Sequence, residues 1–238
     1  MFSLKSFDVG ILMIGSLYWE TNREEWRKAR LDWKRQFDVR VPIRYGRKSS
    51  TRGNTYTMVF SPSGQMGRAK VVQCKKRVVT SMDIVDEARL LWAAERNVAS
   101  SQEVSANWGS VALLINPSIE IPRTVADGWA SHVSAEGGYG EVGCLPEEAP
   151  MIEQGQLRIP WPTRVTGEPI PLAMVLATAT NPELGPENPT YPPAAQIAEA
   201  WNRDPGKNVR YFWNNRDCGI NTSQDEEIIR FLQPRPNL

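Results

Sequence analysis

The hydrophobic pattern is densest near the start of the chain. Val9–Glu20 opens with an apolar run, Ile11 to Ile14, and breaks at Gly15-Ser16. A short apolar run bounded by small residues reads as a buried strand. Thr21 and Glu24 have the spacing of a capping box, so a helix is expected to open at Asn22. Trp26, Ala29, Trp33 and Phe37 recur at helical spacing and form one apolar stripe, which carries that helix to about Phe37. Val39–Tyr45 alternates but holds Pro42, the signature of an edge strand. Gly46–Asn54 reads as a polar loop, Thr55–Ser61 as a strand, Pro62-Ser63-Gly64 as a turn and Arg68–Val79 as a strand pair. Ser81 is placed to cap a helix over Met82–Arg96, with Asp83 and Asp86 near its positive end. Ile84, Ala88, Leu91 and Glu95 share one face of it. Trp108–Ile115 is long and apolar, hence a central strand.

The second half differs. Sixteen of the eighteen prolines lie at or after Pro117. Proline lacks an N–H and fixes φ, so loops and short edge strands are expected there. Strands are expected at Arg158–Val165, Pro171–Thr180 and Val209–Trp213, with a proline-rich connector at Asn181–Pro193 and a short helix at Ala194–Trp201. Ser223–Glu226 is a second capping-box pattern, opening a last helix to about Leu232. The order of elements gives an α+β fold: a small mixed or antiparallel sheet, or a barrel, with two main helices. Residues 1–116 form this core and residues 117–238 a proline-rich, loop-dominated elaboration packed on it.

Charge changes the picture only locally. Lys and Arg number 28 against 27 Asp and Glu, for a net charge of +1, which argues against a protein drawn globally onto nucleic acid. Yet Val39–Met82 holds ten cations and no acid, and Thr124–Gln156 six acids and no cation. Such blocks either pair within the fold or mark an anion-facing surface. Cys74, Cys144 and Cys218 are odd in number and widely spaced, which suits neither a disulfide framework nor zinc, and no metal or cofactor is expected. The first apolar run is too short to span a bilayer, and no basic start with a small-residue cleavage site follows. The expectation is a soluble cytoplasmic protein with no membrane partner.

Chemistry centres on Gly15-Ser16. Free N–H groups at a strand-to-helix turn can hold an anion, although a plain connection has the same pattern. Gly15-Ser16-Leu17 after an apolar strand, then Thr55-Tyr56-Thr57, the turn Gly64-Gln65-Met66-Gly67, the strand Ala69–Gln73 and a helix ending Ala94-Glu95 resemble the gamma-glutamylcyclotransferase-like family over about residues 9–100. The resemblance implies a loop whose backbone donors hold a glutamyl end, here Ile14, Gly15, Ser16, Leu17 and Tyr18. It also implies a glutamate base that closes a lactam. This chain departs from the pattern at Ile14, where the family has an aromatic residue. Glu95 matches the base by its place after the last helical turns, Glu87 by its place near the helix start. Such a base needs partial desolvation to raise its pKa toward neutrality, and the apolar face around Glu95 would supply it. Arg44 or Arg47 would be the counter-charge to a small anionic or amino-acid-like ligand.

A second reading is a non-enzymatic binding or interaction module for a nucleotide or nucleic acid. There Arg40, Arg44, Arg47, Lys48 and Arg52 would neutralise phosphates, with Tyr45 and Tyr56 as stacking faces. Cys144 with His132 could form a thiol–base pair. Gly137–Gly143 lacks the lysine of a phosphate loop, and Asn214–Asp217 is a polar turn or a cleft lining. Glu147-Glu148 and Glu226-Glu227 are adjacent carboxylates that point apart, which supports neither glycosidase nor metal chemistry.

Overall fold

The computed structural model describes residues 5–135, 151–183, 190–203 and 209–234. Its centre is β1 (Val9–Met13), every residue of which is buried. It lies between β4 (Met66–Cys74), antiparallel, and β10 (Met174–Thr180), parallel. The open, mixed sheet runs β3 (Thr55–Phe60), β2 (Leu31–Ser49), β4, β1, β10, β6 (Gly109–Ile115), β8 (Gln156–Leu157), β7 (Ile152–Glu153). Two short strands, β5 (Ser105–Ala106) and β9 (Thr163–Arg164), pair with β6 and β2. With six helices beside it among the described residues, the fold is α+β.

Helices cover both faces. On one, α2 (Ser81–Arg96) and α3 (Arg123–Ala135) bury Trp92 and Trp129 against Ile11, Met13, Val111 and Leu176. On the other, α4 (Ala194–Asn202), α5 (Arg210–Asp217) and α6 (Asp225–Ile229) bury Trp201 and Phe212 against Leu12, Ile43, Tyr45 and Val71. Leu12 goes to one core and its neighbours to the other, as the two-residue period of a strand requires. Burial on both faces is why β1 reads as an unbroken apolar run.

Several local expectations are corrected. After Gly15 the chain makes two 3-10 turns, Ser16–Tyr18 and Thr21–Arg23, and Thr21 makes no side-chain cap. α1 (Glu24–Arg30) is short, and Leu31 is already extended. Trp33 and Phe37 therefore lie in β2, where the long ladder with β4 overrides the helical spacing of the stripe. β2 is also no edge strand. Pro42 closes the pairing with β4 and Ile43 opens the pairing with β3, so the missing N–H falls where the strand changes partners. The polar stretch 46–54 continues β2 to Ser49, then turns through Gly53 and Asn54 at φ 65° and 56°. Arg68–Val79 contributes to one strand, β4, and not to a pair.

Thr80, not Ser81, caps α2, in a capping box with Asp83. Val209–Trp213 is not a strand but part of α5, with Asn214–Asp217 continuing that helix. Tyr211 and Phe212 are adjacent yet both buried in one core, which the alternating faces of a strand would not allow. The last helix is α6, shorter than expected, and Thr222 replaces Ser223 at its start, accepting from Gln224 N–H at 3.2 Å and bonding Asp225 Oδ1 at 2.6 Å. Of Arg158–Val165 only Thr163-Arg164 forms a strand. β10, from the proline-rich part, is a central strand, so residues beyond 116 are threaded through the same sheet as those before it.

Among the described residues Cys74 and Cys218 are free thiols, no group of three His, Cys, Asp or Glu could hold a metal, and no helix is long and apolar enough to cross a membrane. Cys144, Gly137–Gly143 and Glu147-Glu148 lie outside the described residues.

Candidate functional site

Because β1 and β10 are parallel, their carboxyl ends meet at the same edge of the sheet. A cavity of about 700 Å³ opens there. Its floor is the segment that leaves β1. Tyr18 and Trp19 N–H donate back to Gly15 and Ser16 carbonyls at 3.1 Å, and Glu20 N–H to Ser16 at 2.8 Å. The buried Arg27 donates from Nη1 to the carbonyls of Leu17 and Glu20, both at 2.8 Å. The carbonyls are thus engaged, while the N–H groups of Gly15, Ser16 and Leu17 donate to no carbonyl among the described residues. Gly15, Ser16 and Leu17 all line the cavity.

The carboxyl end of α2 forms one wall with Glu95, Arg96 and Asn97. Arg23 Nη2 donates to the Glu95 carbonyl at 3.2 Å and steadies that helix end. The Glu95 carboxylate itself has no hydrogen bond or ion pair among the described residues. Burial raises its pKa; Arg23 and Arg47 pull it back, Glu20 pushes it up, and Arg52 opposes the rise more weakly. The carboxylate is half-buried at the cavity wall, in a partly cationic surrounding.

Arg47 reaches the cavity through a β-bulge. Tyr45 pairs with Met58 and Arg47 with Thr57, so Gly46 is the extra residue. The bulge turns Arg47 to the face opposite Tyr45; without it the guanidinium would enter the core beside Trp201. A side chain at position 46 would begin 2.7 Å from Val59 Cγ2, which leaves room only for glycine. Arg47 lies 4.9 Å over the Trp108 ring, and Trp108 stacks on Trp92 at 4.7 Å. Burial lowers its pKa, but the group remains a cation. It makes no ion pair among the described residues.

Arg52, in the turn after β2, reaches across to Ser16 Oγ at 2.9 Å and Glu20 Oε1 at 2.5 Å. Its guanidinium lies 5.0 Å over the Tyr211 ring. Glu20 is shared with Arg23 at 3.7 Å. From β10 come Thr178 and Thr180, and the Thr178 hydroxyl has no partner among the described residues. Arg96 is neutralised by Glu103 at 2.9 Å. Arg23, Arg47 and Arg52 then face Glu20 and Glu95, an excess of positive charge that favours an anion.

Of the residues singled out in the sequence, Ile14, Gly15, Ser16, Leu17, Arg47 and Glu95 meet at this cavity. Three do not line it. Tyr18 donates to Gln36 Oε1 at 2.9 Å and packs edge-on to Trp33. Arg44 stacks on Tyr191 at 4.0 Å. Glu87, only 2% exposed, is bound to Arg30 in the middle of α2 and does not line the cavity. The Arg40–Arg52 block is divided: Arg40 is exposed, whereas Arg47 and Arg52 turn into the cavity. Tyr45 and Tyr56 are buried and offer no stacking face to a base. His132 lies on α3, away from the cavity lining.

Glu20, Arg23, Trp108, Thr178 and Tyr211, which also line the cavity, were not singled out in the sequence. The one local signal was Gly46 inside a strand pattern, the mark of a bulge; the others come from segments far apart in the chain. The chain matches no family model, no curated protein and no solved structure.

Proposed function

We propose that this is a gamma-glutamylcyclotransferase-like enzyme acting on a small, amino-acid-like anion, with Glu95 as general base. The observation that supports the reading is that Glu95, whose carboxylate is unpaired among the described residues and has a raised pKa, lines one cavity with Gly15 and Ser16, whose N–H groups donate to no carbonyl among the described residues. Arg47, stacked on Trp108, supplies a planar fork of donors for the ligand's carboxylate. Glu95 takes a proton from the ligand's α-amine, whose nitrogen attacks the side-chain carbonyl and forms the new C–N bond of a five-membered lactam. The developing oxyanion is held by backbone donors. As it collapses, the old C–N bond breaks and the departing amine receives the proton from Glu95.

The test is turnover of gamma-glutamyl amino acids by wild type and Glu95→Gln. The variant keeps the shape of the side chain and should fold normally while losing most of kcat. Equal turnover in the two removes Glu95 as base. The excess of arginine also supports a second reading, a non-enzymatic module for a small anion. In that case neither protein turns over, and anion affinity falls with salt and with Arg47→Ala.

A further inference from the structure

Tyr211 reaches the cavity from α5, in the part of the chain beyond the family resemblance. The side chain is 5% exposed, and its ring belongs to the core around Trp201 and Phe212. Its hydroxyl emerges at the loop. A Cβ built on Gly15 would lie 2.6 Å from Tyr211 Oη, so the missing side chain at position 15 is what lets the phenol approach the loop backbone. The hydroxyl accepts from Met58 N–H at 3.4 Å. The Asn215 side chain, whose Oδ1 accepts from Trp19 Nε1 at 2.6 Å, also lies against the phenol, and the Tyr211 hydroxyl donates to no acceptor among the described residues. A buried hydroxyl that accepts but does not donate is incompletely satisfied, and the deficit is made good when an acceptor enters the cavity. Burial also raises the phenol pKa, which keeps the proton on oxygen at neutral pH.

We propose that Tyr211 donates a hydrogen bond to the reacting carbonyl oxygen of the ligand, completing with the Gly15 and Ser16 amides a three-donor oxyanion site roofed by the C-terminal half of the chain. The inference rests on the cyclotransferase-like reading. No proton leaves Tyr211 in the step. The amine nitrogen bonds to the carbonyl carbon, the carbonyl π pair moves to oxygen, and Tyr211 O–H and the amides hold that oxyanion until it collapses and expels the leaving amine. Arg52, stacked on the phenol ring and bonded to Ser16, fixes the two sides of the site relative to each other.

The experiment compares wild type, Glu95→Gln, Tyr211→Phe and Gly15→Ala in turnover of gamma-glutamyl amino acids, with thermal melts of each. Tyr211→Phe keeps the packed ring, so the fold should persist while kcat falls by about 10²- to 10³-fold with KM little changed. Gly15→Ala displaces the hydroxyl and should reproduce that loss, and the double variant should lose little more than either single one. If Tyr211→Phe turns over like an active, Glu95-dependent wild type, the inference falls and the cyclotransferase-like reading stands. A loss that appears wholly in KM, or additive losses in the double variant, likewise overturns the inference. An inactive wild type removes the reading and the inference together.

Discussion

Two glutamates of α2, two turns apart, sit in opposite surroundings. Glu87 is 2% exposed and is held by Arg30, whose guanidinium extends partly into solvent. Glu95, two turns on, is half-buried at the cavity wall beside three arginines, and its carboxylate is bound to none of them. Arg23 lies closest to that end of the helix, but it donates to the Glu95 backbone and shares Glu20 with Arg52. The difference teaches that burial alone does not mark a reactive carboxylate. A buried carboxylate already satisfied by a cation contributes to folding; one half-buried without a partner retains the capacity to accept a proton or a ligand.

The sharpest way to break this comparison is to neutralise each acid in turn. Glu95→Gln should lower kcat by about 10²- to 10⁴-fold, the usual contribution of a general base, with an unchanged melting temperature. Loss of fold and activity together would make Glu95 a second Glu87. The converse variant acts on the other glutamate. Arg30→Ala leaves Glu87 buried and unpaired, and should destabilise the fold by about 3 kcal/mol, which for a chain of this size lowers Tm by roughly 6–12 °C. A melting temperature within two or three degrees of wild type, by calorimetry, would show that the ion pair is not structural.

A third carboxylate lies between the extremes. Asp225 is buried and accepts from Thr222 N–H at 2.9 Å and from its hydroxyl at 2.6 Å, with Arg216 only at 3.6 Å. Burial outweighs those bonds and pushes its pKa up to about 6. The folded state therefore keeps a proton that the unfolded chain has lost, so stability is greatest near pH 4 and falls as pH rises to about 6. From this group the loss is about 3 kcal/mol, at 1.36 kcal/mol per pKa unit. Asp225→Asn should flatten that window in denaturant titrations, and an unaltered slope would assign the pH dependence elsewhere. The smallest effect concerns the field around Glu95. Arg47 favours the ionised carboxylate, so Arg47→Met should raise the Glu95 pKa and move the acid limb of the kcat/KM profile to higher pH. A limb that stays in place or moves down would mean that Arg47 does not act on the base.

What the sequence determined by itself was mostly local. An apolar run buried on both faces made β1, a small-residue break made the loop after it, and an apolar face with Asp83 in its first turn made α2. These depend on neighbours a few residues away, and period and composition report them directly. Tertiary structure decided the rest. Trp33 and Phe37 have helical spacing, but the ladder with β4 drew them into β2. Val209–Trp213 is rich in aromatic residues as a strand would be, yet packing on Trp201 favoured a helix that buries both Tyr211 and Phe212. The different surroundings of Glu87 and Glu95 likewise follow from where Arg30 and the cavity lie. Long-range pairing and burial outweigh local propensity because they remove far more apolar surface and backbone polarity from water than any local preference can offset.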